Sequence, residues 1–264
     1  MKFIILLFTL YVFANITQAQ ETTNTSTKTA REFYFSWGYN KEWYTPSSIH
    51  VVQPSLGNDF TLVKAQGHDH IGWDKVLQRP LTVPQYNYRL GWWFKKNNSL
   101  GFELNFDHTK FIVTRGQLAH WQGTINGQVV SYDSLTTRNN FDYNLNNGAN
   151  FFCFNLVKRF KNFEATNHQW FVLHTILKAG AGPVIPHVEN TILGHDNKSH
   201  FQLGGVNAGL EMALRATFFK HVYLELCQKG DYANYFGLRI YQGTARHSFF
   251  AYEVIANLGV TAKF

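Results

Sequence analysis

The chain has 264 residues, 24 Lys and Arg against 17 Asp and Glu, two Cys and 17% aromatic residues. Only 16% are charged, where soluble domains carry about 25%, yet the mean hydropathy is slightly negative. That excludes a polytopic helical membrane protein, and the supply of Phe, Tyr, Trp, Leu, Ile and Val excludes a disordered chain.

The N-terminus reads as a targeting segment. A basic Lys2 precedes an apolar run over residues 3–14, and Thr17 and Ala19 supply small residues at −3 and −1 of a cleavage site. This predicts a secretory signal peptide over residues 1–19, too short an apolar run for a comfortable membrane-spanning helix. Residues 20–30, polar and low in complexity, follow as a leader, and residues 31–264 make the folded domain. Two cysteines, Cys153 and Cys227, are too few for a disulfide framework.

The folded part alternates with period two. In residues 32–40, Phe33, Phe35, Trp37 and Tyr39 share one face, with Ser36, Gly38 and Asn40 opposite. Residues 85–94 set Tyr86, Tyr88, Leu90, Trp92 and Phe94 against Asn87 and Arg89. In residues 99–107, Leu100, Phe102, Leu104 and Phe106 oppose Glu103, Asn105 and Asp107. Residues 151–160 and 170–182 alternate less strictly, with Asn155, Arg159, His174 and Lys178 on the polar parity. Residues 209–218 carry Glu211 and Arg215 on that parity, residues 221–229 carry Glu225 and Lys229, and residues 247–264 carry His247, Glu253 and Asn257.

These eight stretches are each long enough to cross an outer membrane as tilted strands of ~9–11 residues. Their connections alternate between short (95–98, 161–168, 219–220) and long (44–83, 112–149, 183–200, 230–246). Short inner turns with long external loops are the signature of an outer-membrane barrel. The expected fold is therefore all-β, an eight-stranded antiparallel up-and-down transmembrane β-barrel in a Gram-negative outer membrane. Its apolar parity faces lipid, and its charged parity fills a lumen too narrow for a general pore. Trp37, Tyr39, Trp43, Tyr44, Tyr86, Trp92, Trp93 and Tyr223 are candidates for the interfacial girdles. Around Asn126-Gly127, residues 121–132 read as an external hairpin on a type I′ turn; residues 44–83 are either a lid or a further hairpin.

Titratable residues gather at the outer end of the strands. His and carboxylates there, with His68, Asp69, Asp107 and His187 foremost, are the types that hold a divalent metal, and His108, His247 and Glu253 are the types that move protons. The plainer reading is that external loops are polar anyway, and that twelve His place several outside by chance. Lys41, Lys64, Lys75, Arg79, Lys110, Lys229, Arg239 and Arg246 are positioned to meet the phosphates of outer-leaflet lipid A.

The stretches 35–40 (FSWGYN), 104–110 (LNFDHTK), 225–230 (ELCQKG) and 247–253 (HSFFAYE) resemble small bacterial outer-membrane barrels, some of them similar to lipid A oxidase. That family oxidises the proximal glucosamine of lipid A, the membrane anchor of lipopolysaccharide, with molecular oxygen. The resemblance implies a metal- and oxygen-dependent oxidase acting at the rim as a monomer, and carries over Asp107, His108, Lys110, Gln228, Lys229, His247 and Glu253. A second family, the lipid A 3-O-deacylases, uses a Ser-His-Glu set. Here His247 and Ser248 are adjacent on a strand and point to opposite faces, which counts against it. The alternative to an enzyme is a structural or surface-interaction barrel, adhesin-like or receptor-like.

Overall fold

A computed structural model describes residues 31–70, 85–95, 97–145, 147–166, 170–197 and 200–264. The expected signal peptide and leader lie outside them, as do Asp74, Lys75 and Arg79. Among the described residues there are eighteen strands and one 3-10 turn, Pro54–Leu56. In chain order the strands begin with β1 (Glu32–Tyr44), β2 (Ser47–Gln53), β3 (Asn58–Ala65), β4 (Gly67–His68), β5 (Tyr86–Phe94) and β6 (Asn97–Asp107). Next come β7 (Phe111–Val113), β8 (Leu118–Ile125), β9 (Gln128–Leu135), β10 (Phe141–Leu145), β11 (Phe151–Glu164) and β12 (Phe171–Val184). The last are β13 (His187–Ile192), β14 (His195–Asp196), β15 (His200–Phe201), β16 (Gly205–Phe218), β17 (Val222–Ile240) and β18 (Gly243–Lys263).

Every pairing is antiparallel. β1 pairs with β5 along one side, from Glu32↔Trp93 to Tyr39↔Tyr86, and with β18 along the other, from Glu32↔Lys263 to Tyr44↔Ala251. From β5 the pairing continues through β6, β11, β12, β16 and β17 to β18. The hydrogen bonds thus run round a ring of eight strands. A ring leaves no strand edge unpaired, which is the condition for strands surrounded by hydrocarbon.

Because successive side chains alternate, the ring has two faces. The outer face carries Phe35, Leu90, Leu156, Leu226, Leu258 and Val260, all exposed, and Leu210 at 70%. Inside lie Arg89, Glu103, Asp107, Lys178, Glu211, Glu225, Lys229 and Glu253, all buried. A soluble sandwich buries the apolar parity instead. An apolar outside around an ionic inside is the arrangement of an outer-membrane-type β-barrel.

Two girdle candidates prove to be lumen residues. Trp93 and Tyr223 share the inward parity of Arg89 and Glu225, and with Tyr34, Val157, Ile176, Ala213, Cys227 and Ile255 they form a small apolar plug. Two glycines make room for it. A Cβ on Gly91 would sit 2.2 Å from the Tyr34 ring, and one on Gly259 would sit 2.2 Å from the Tyr223 ring. Cys153 and Cys227 are both buried and stay unbridged.

The expected long loops are instead folded. β17 and β18 run on beyond the ring and close in a hairpin, so residues 230–246 are mostly strand. The slip between Tyr235 and Leu238, with Gly237 at φ 64°, breaks the alternation there and hides the continuation from a period-two reading. β18 then pairs with β2, β2 with β3, β3 with β8 and β8 with β9. Residues 44–83 therefore contain a further hairpin, β2–β3. A smaller sheet runs β14-β13-β10-β7-β4, with β15 on β13. One apolar core joins the two sheets and draws on Ile49, Leu62, Phe111, Trp121, Tyr143, Val188, Leu238 and Phe249 among others. Tyr44, a girdle candidate, packs into this cap, 5.3 Å from Phe111 and 4.9 Å from Phe249 between centroids. The hairpin at Asn126-Gly127 is present as β8–β9, both turn residues having positive φ (50° and 75°) as a type I′ turn demands.

Candidate functional site

The inward parity of the ring assembles one continuous ionic network. At its lower level Lys178 Nζ lies 3.0 Å from Glu103, 2.8 Å from Glu211 and 3.0 Å from Glu225. Arg215 Nε donates to Glu225 at 2.5 Å while its guanidinium is held between the rings of Tyr34 and Tyr223, at 4.3 and 4.1 Å. Tyr34 donates its hydroxyl to Glu103 at 2.8 Å. At mid-height Arg89 bridges Asp107 at 2.5 Å and Glu211 at 3.5 Å. Above it Lys229 Nζ meets Asp107 at 2.8 Å, Asp231 at 2.7 Å and Glu253 at 3.5 Å. Highest, Glu42 stands directly across from Glu253 in the β1–β18 register, and accepts from Asn40 and from the Tyr44 hydroxyl. At the inner mouth Arg159 holds Glu32 with two bonds, of 3.0 and 2.8 Å. Burying the charges from Arg215 up to Lys229 is tolerable because they are paired, whereas Glu42 accepts from the neutral Asn40 and Tyr44, and Glu253 has its nearest cation, Lys229, at 3.5 Å.

Of the residues singled out from sequence, Asp107, Lys229 and Glu253 come together here. Gln228 does not. It has the opposite parity, points out of the ring and accepts a 2.9 Å bond from Tyr252 on the apolar face. His247 lies in the cap, packed on Tyr235, Tyr143, Phe111 and Phe249. His108 stacks on Tyr86, 4.6 Å between centroids, with Nδ1 2.8 Å from Asn150 Oδ1. Burial pushes both imidazoles down, His108 to about 4 and His247 to about 3.

The expected metal ligands do not converge either. His68 lies against Thr114 at 3.0 Å, and burial lowers its pKa. Asp69 pairs with Lys41 and accepts from the Glu42 amide at 2.9 Å, which ties the loop to β1. Asp107 is in the lumen, and His187 packs on Phe201 in the small sheet. Among the described residues one group has metal-ligand spacing, Glu211, Glu225 and Cys227. The Lys178 ammonium already sits between the two carboxylates of that group. Among the described residues, His68, Asp69, Asp107 and His187 form no common group with metal-ligand spacing. Of the expected lipid A contacts, Lys229 and Lys110 are buried and cannot reach outer-leaflet phosphates. Tyr34, Glu42 and Glu32, the partner of the expected lumen residue Arg159, were missed as lumen residues. The parity of Ser36 and Asn40, continued two residues in each direction along β1, reaches both Tyr34 and Glu42.

Chemically, the network is a plug. Below it is the apolar cluster around Tyr34, Trp93 and Tyr223, and above it the cap floor of Tyr44, Phe111, Tyr143 and Phe249. Acids and bases are adjacent, and at the inner mouth a polar cavity of about 450 Å³ reaches Glu32, Arg159 and Arg215.

No protein-family model matches the chain, and no curated protein matches it. Among solved structures it is similar to Ail, the attachment invasion locus protein of Yersinia pestis, solved with the heparin analogue sucrose octasulfate, at TM-score 0.34 and 11% identity over 88% of this chain and 99% of that one. It is also similar to Neisserial surface protein A, at TM-score 0.34 and 10% identity over 88% and 97%. The P. putida toluene transporter TodX follows at TM-score 0.17 and 9% identity over 89% and 90%. Likeness at these scores decides nothing about activity.

Proposed function

We propose that the chain is an eight-stranded transmembrane β-barrel of a Gram-negative outer membrane that serves as a scaffold for a surface-interaction module. The observation that supports this reading is the cap. Joining neighbouring antiparallel strands takes as few as two residues. Here most of the outer connections fold into two sheets around a core of their own. Such an investment outside a sealed barrel is understandable when contact with the surroundings is the task, since binding residues concentrate on loops carried by a rigid scaffold. A pore is disfavoured by the ionic plug and the aromatic cluster below it. A lipid A oxidase is disfavoured because His68, Asp107, His108, His187 and His247 each have separate surroundings.

The test compares cells with the gene, without it, and with the β8–β9 hairpin cut back to a short turn. Attachment to surfaces and to other cells is measured alongside lipid A mass spectra. Attachment should fall in both altered strains while lipid A stays unchanged. A lipid A species that gains one oxygen, or loses one acyl chain, only when the gene is present overturns the reading in favour of an enzyme.

A further inference from the structure

The large sheet ends at β9, and among the described residues nothing pairs with its far side. Natural edge strands are usually blunted by charged side chains, Lys above all, by Pro, by a bulge or by very short length. Of these β9 has a single charge, Asp133, which His120 of β8 holds at 2.7 Å. It is eight residues of QVVSYDSL in unbroken register with β8. Its outer surface is also apolar at both ends, with Val129 at 88% exposure, Leu135 at 53%, and Leu118 of β8, the partner of Leu135, at 67%.

The backbone fixes which groups are available. A two-residue hairpin closes on a hydrogen-bonded pair, here Ile125 and Gln128. Alternate residues of β9 therefore bond to β8, while Val129, Ser131, Asp133 and Leu135 turn their N–H and C=O outward. We propose that this edge pairs with the same edge of a second copy, antiparallel and about a two-fold axis through Tyr132. Ser131 then faces Asp133 and Val129 faces Leu135, twice over, and all four residues contribute outward backbone groups. Each Asp133 meets a hydroxyl, and each Val129 closes on the Leu135–Leu118 pair of the other copy. The neighbouring registers are poorer. One sets Asp133 against Asp133, a like-charge opposition that destabilises a sheet, and the other sets Val129 against Asp133 and leaves Leu135 unmatched. An isologous contact of this kind joins two copies and stops there. It departs from the monomer expected from sequence. It also goes beyond the surface reading, because it holds or fails with no other partner present.

The test uses the full chain in detergent micelles. Light scattering across a dilution series should show a dimer of the protein component. Tyr132→Cys should cross-link to itself under mild oxidation, since directly opposed residues of a non-hydrogen-bonded pair have Cα atoms about 4.5 Å apart, within disulfide reach. Gln128→Cys, whose partner in this register is Thr136, should not, and the native thiols are buried. Ser131→Pro removes an outward N–H without touching the β8 ladder, and Val129→Lys puts two cations into the contact. Both should give folded monomers, with folding read from heat-dependent gel mobility. A wild-type monomer at every dilution, a dimer that survives both substitutions, or equal cross-linking at positions 128 and 132 overturns the proposal.

Discussion

His247 lies face to face on Tyr235, with ring centroids 4.9 Å apart and planes 9° from parallel. Its Nδ1 is 3.2 Å from the Ser47 hydroxyl, and its Nε2 has no hydrogen-bond partner among the described residues. An imidazolium in that apolar shell would be poorly solvated, so the folded pKa falls to about 3 from the ordinary 6.5. The sign follows from linkage. Between those values the unfolded chain binds a proton that the folded cap refuses, so stability is full above about pH 6.5 and declines as the pH drops towards 3. The slope is at most about 1.4 kcal/mol per pH unit for one group. His108, held at about 4, acts in the same sense over a narrower window. His247→Phe should flatten part of the decline, as measured by urea unfolding of the cap followed through Trp fluorescence at pH 7, 6 and 5. An unchanged pH profile would show that another group sets it.

Lys178 makes the second prediction. It is the shared cation of Glu103, Glu211 and Glu225, all buried. Removing one partner of a buried ionic set leaves uncompensated charge and costs about 3–5 kcal/mol. Lys178→Met should lower the denaturant midpoint of the ring markedly, while Lys178→Met combined with Glu103→Gln should recover part of the loss, because Glu103 is otherwise left with Arg89 at 3.8 Å whereas Glu225 keeps Arg215. Equal midpoints for the single variant and the wild type would mean that the network contributes nothing to stability.

Much of the ring was legible in the sequence because lipid and lumen impose opposite demands on alternating residues. Each of the eight expected stretches lies almost wholly within a strand of the structure, as residues 85–94 do with Tyr86–Phe94 and 151–160 with Phe151–Glu164. The cap was not legible as a unit. Its strands are short, such as Phe111–Val113 and Phe141–Leu145, and its core is built from residues far apart in sequence, so no local period announces it. The candidate site was only partly legible for a related reason. Counting residues near strand ends gives their height but not their direction, so Gln228 and Lys229 looked equivalent although one faces outward and the other the lumen. Direction came from parity, and Lys229 already shared a parity with Glu225 and Glu253 with Asn257.

The third prediction tests that direction. Leu226 lies on the outer face, paired with Leu214 and Ala256 on its neighbouring strands. An arginine near the bilayer midplane on the lipid face costs about 2–4 kcal/mol. Leu226→Arg should therefore destabilise the refolded protein by that order in lipid vesicles. Gln228→Leu, two residues along on the same face, should be neutral or stabilising despite the lost bond from Tyr252. A stabilising Leu226→Arg, or a strongly destabilising Gln228→Leu, would mean that this face meets water.

The last prediction separates the cap from the ring. Their apolar clusters are distinct, one around Trp121 and Phe111 and the other around Tyr34 and Trp93. Trp121 is fully buried, stacked on Phe60 at 5.4 Å and set edge-on to Phe141 at 5.6 Å. Trp121→Ala should cost about 3–5 kcal/mol, the usual range for deleting a large buried aromatic. The loss should fall on the cap alone, because cooperative units can open separately when they share few contacts. Limited proteolysis of the variant in micelles should cut within residues 45–70 and 111–145 while the ring strands stay protected and keep their heat-dependent gel mobility. The same substitution should weaken any dimer, since Tyr132 stacks on Trp121 and would lose the surface that sets its position. Protease resistance equal to the wild type would show that the Trp121 cluster does not hold the cap, whereas loss of the ring signal together with the cap would show that the two fold as one unit.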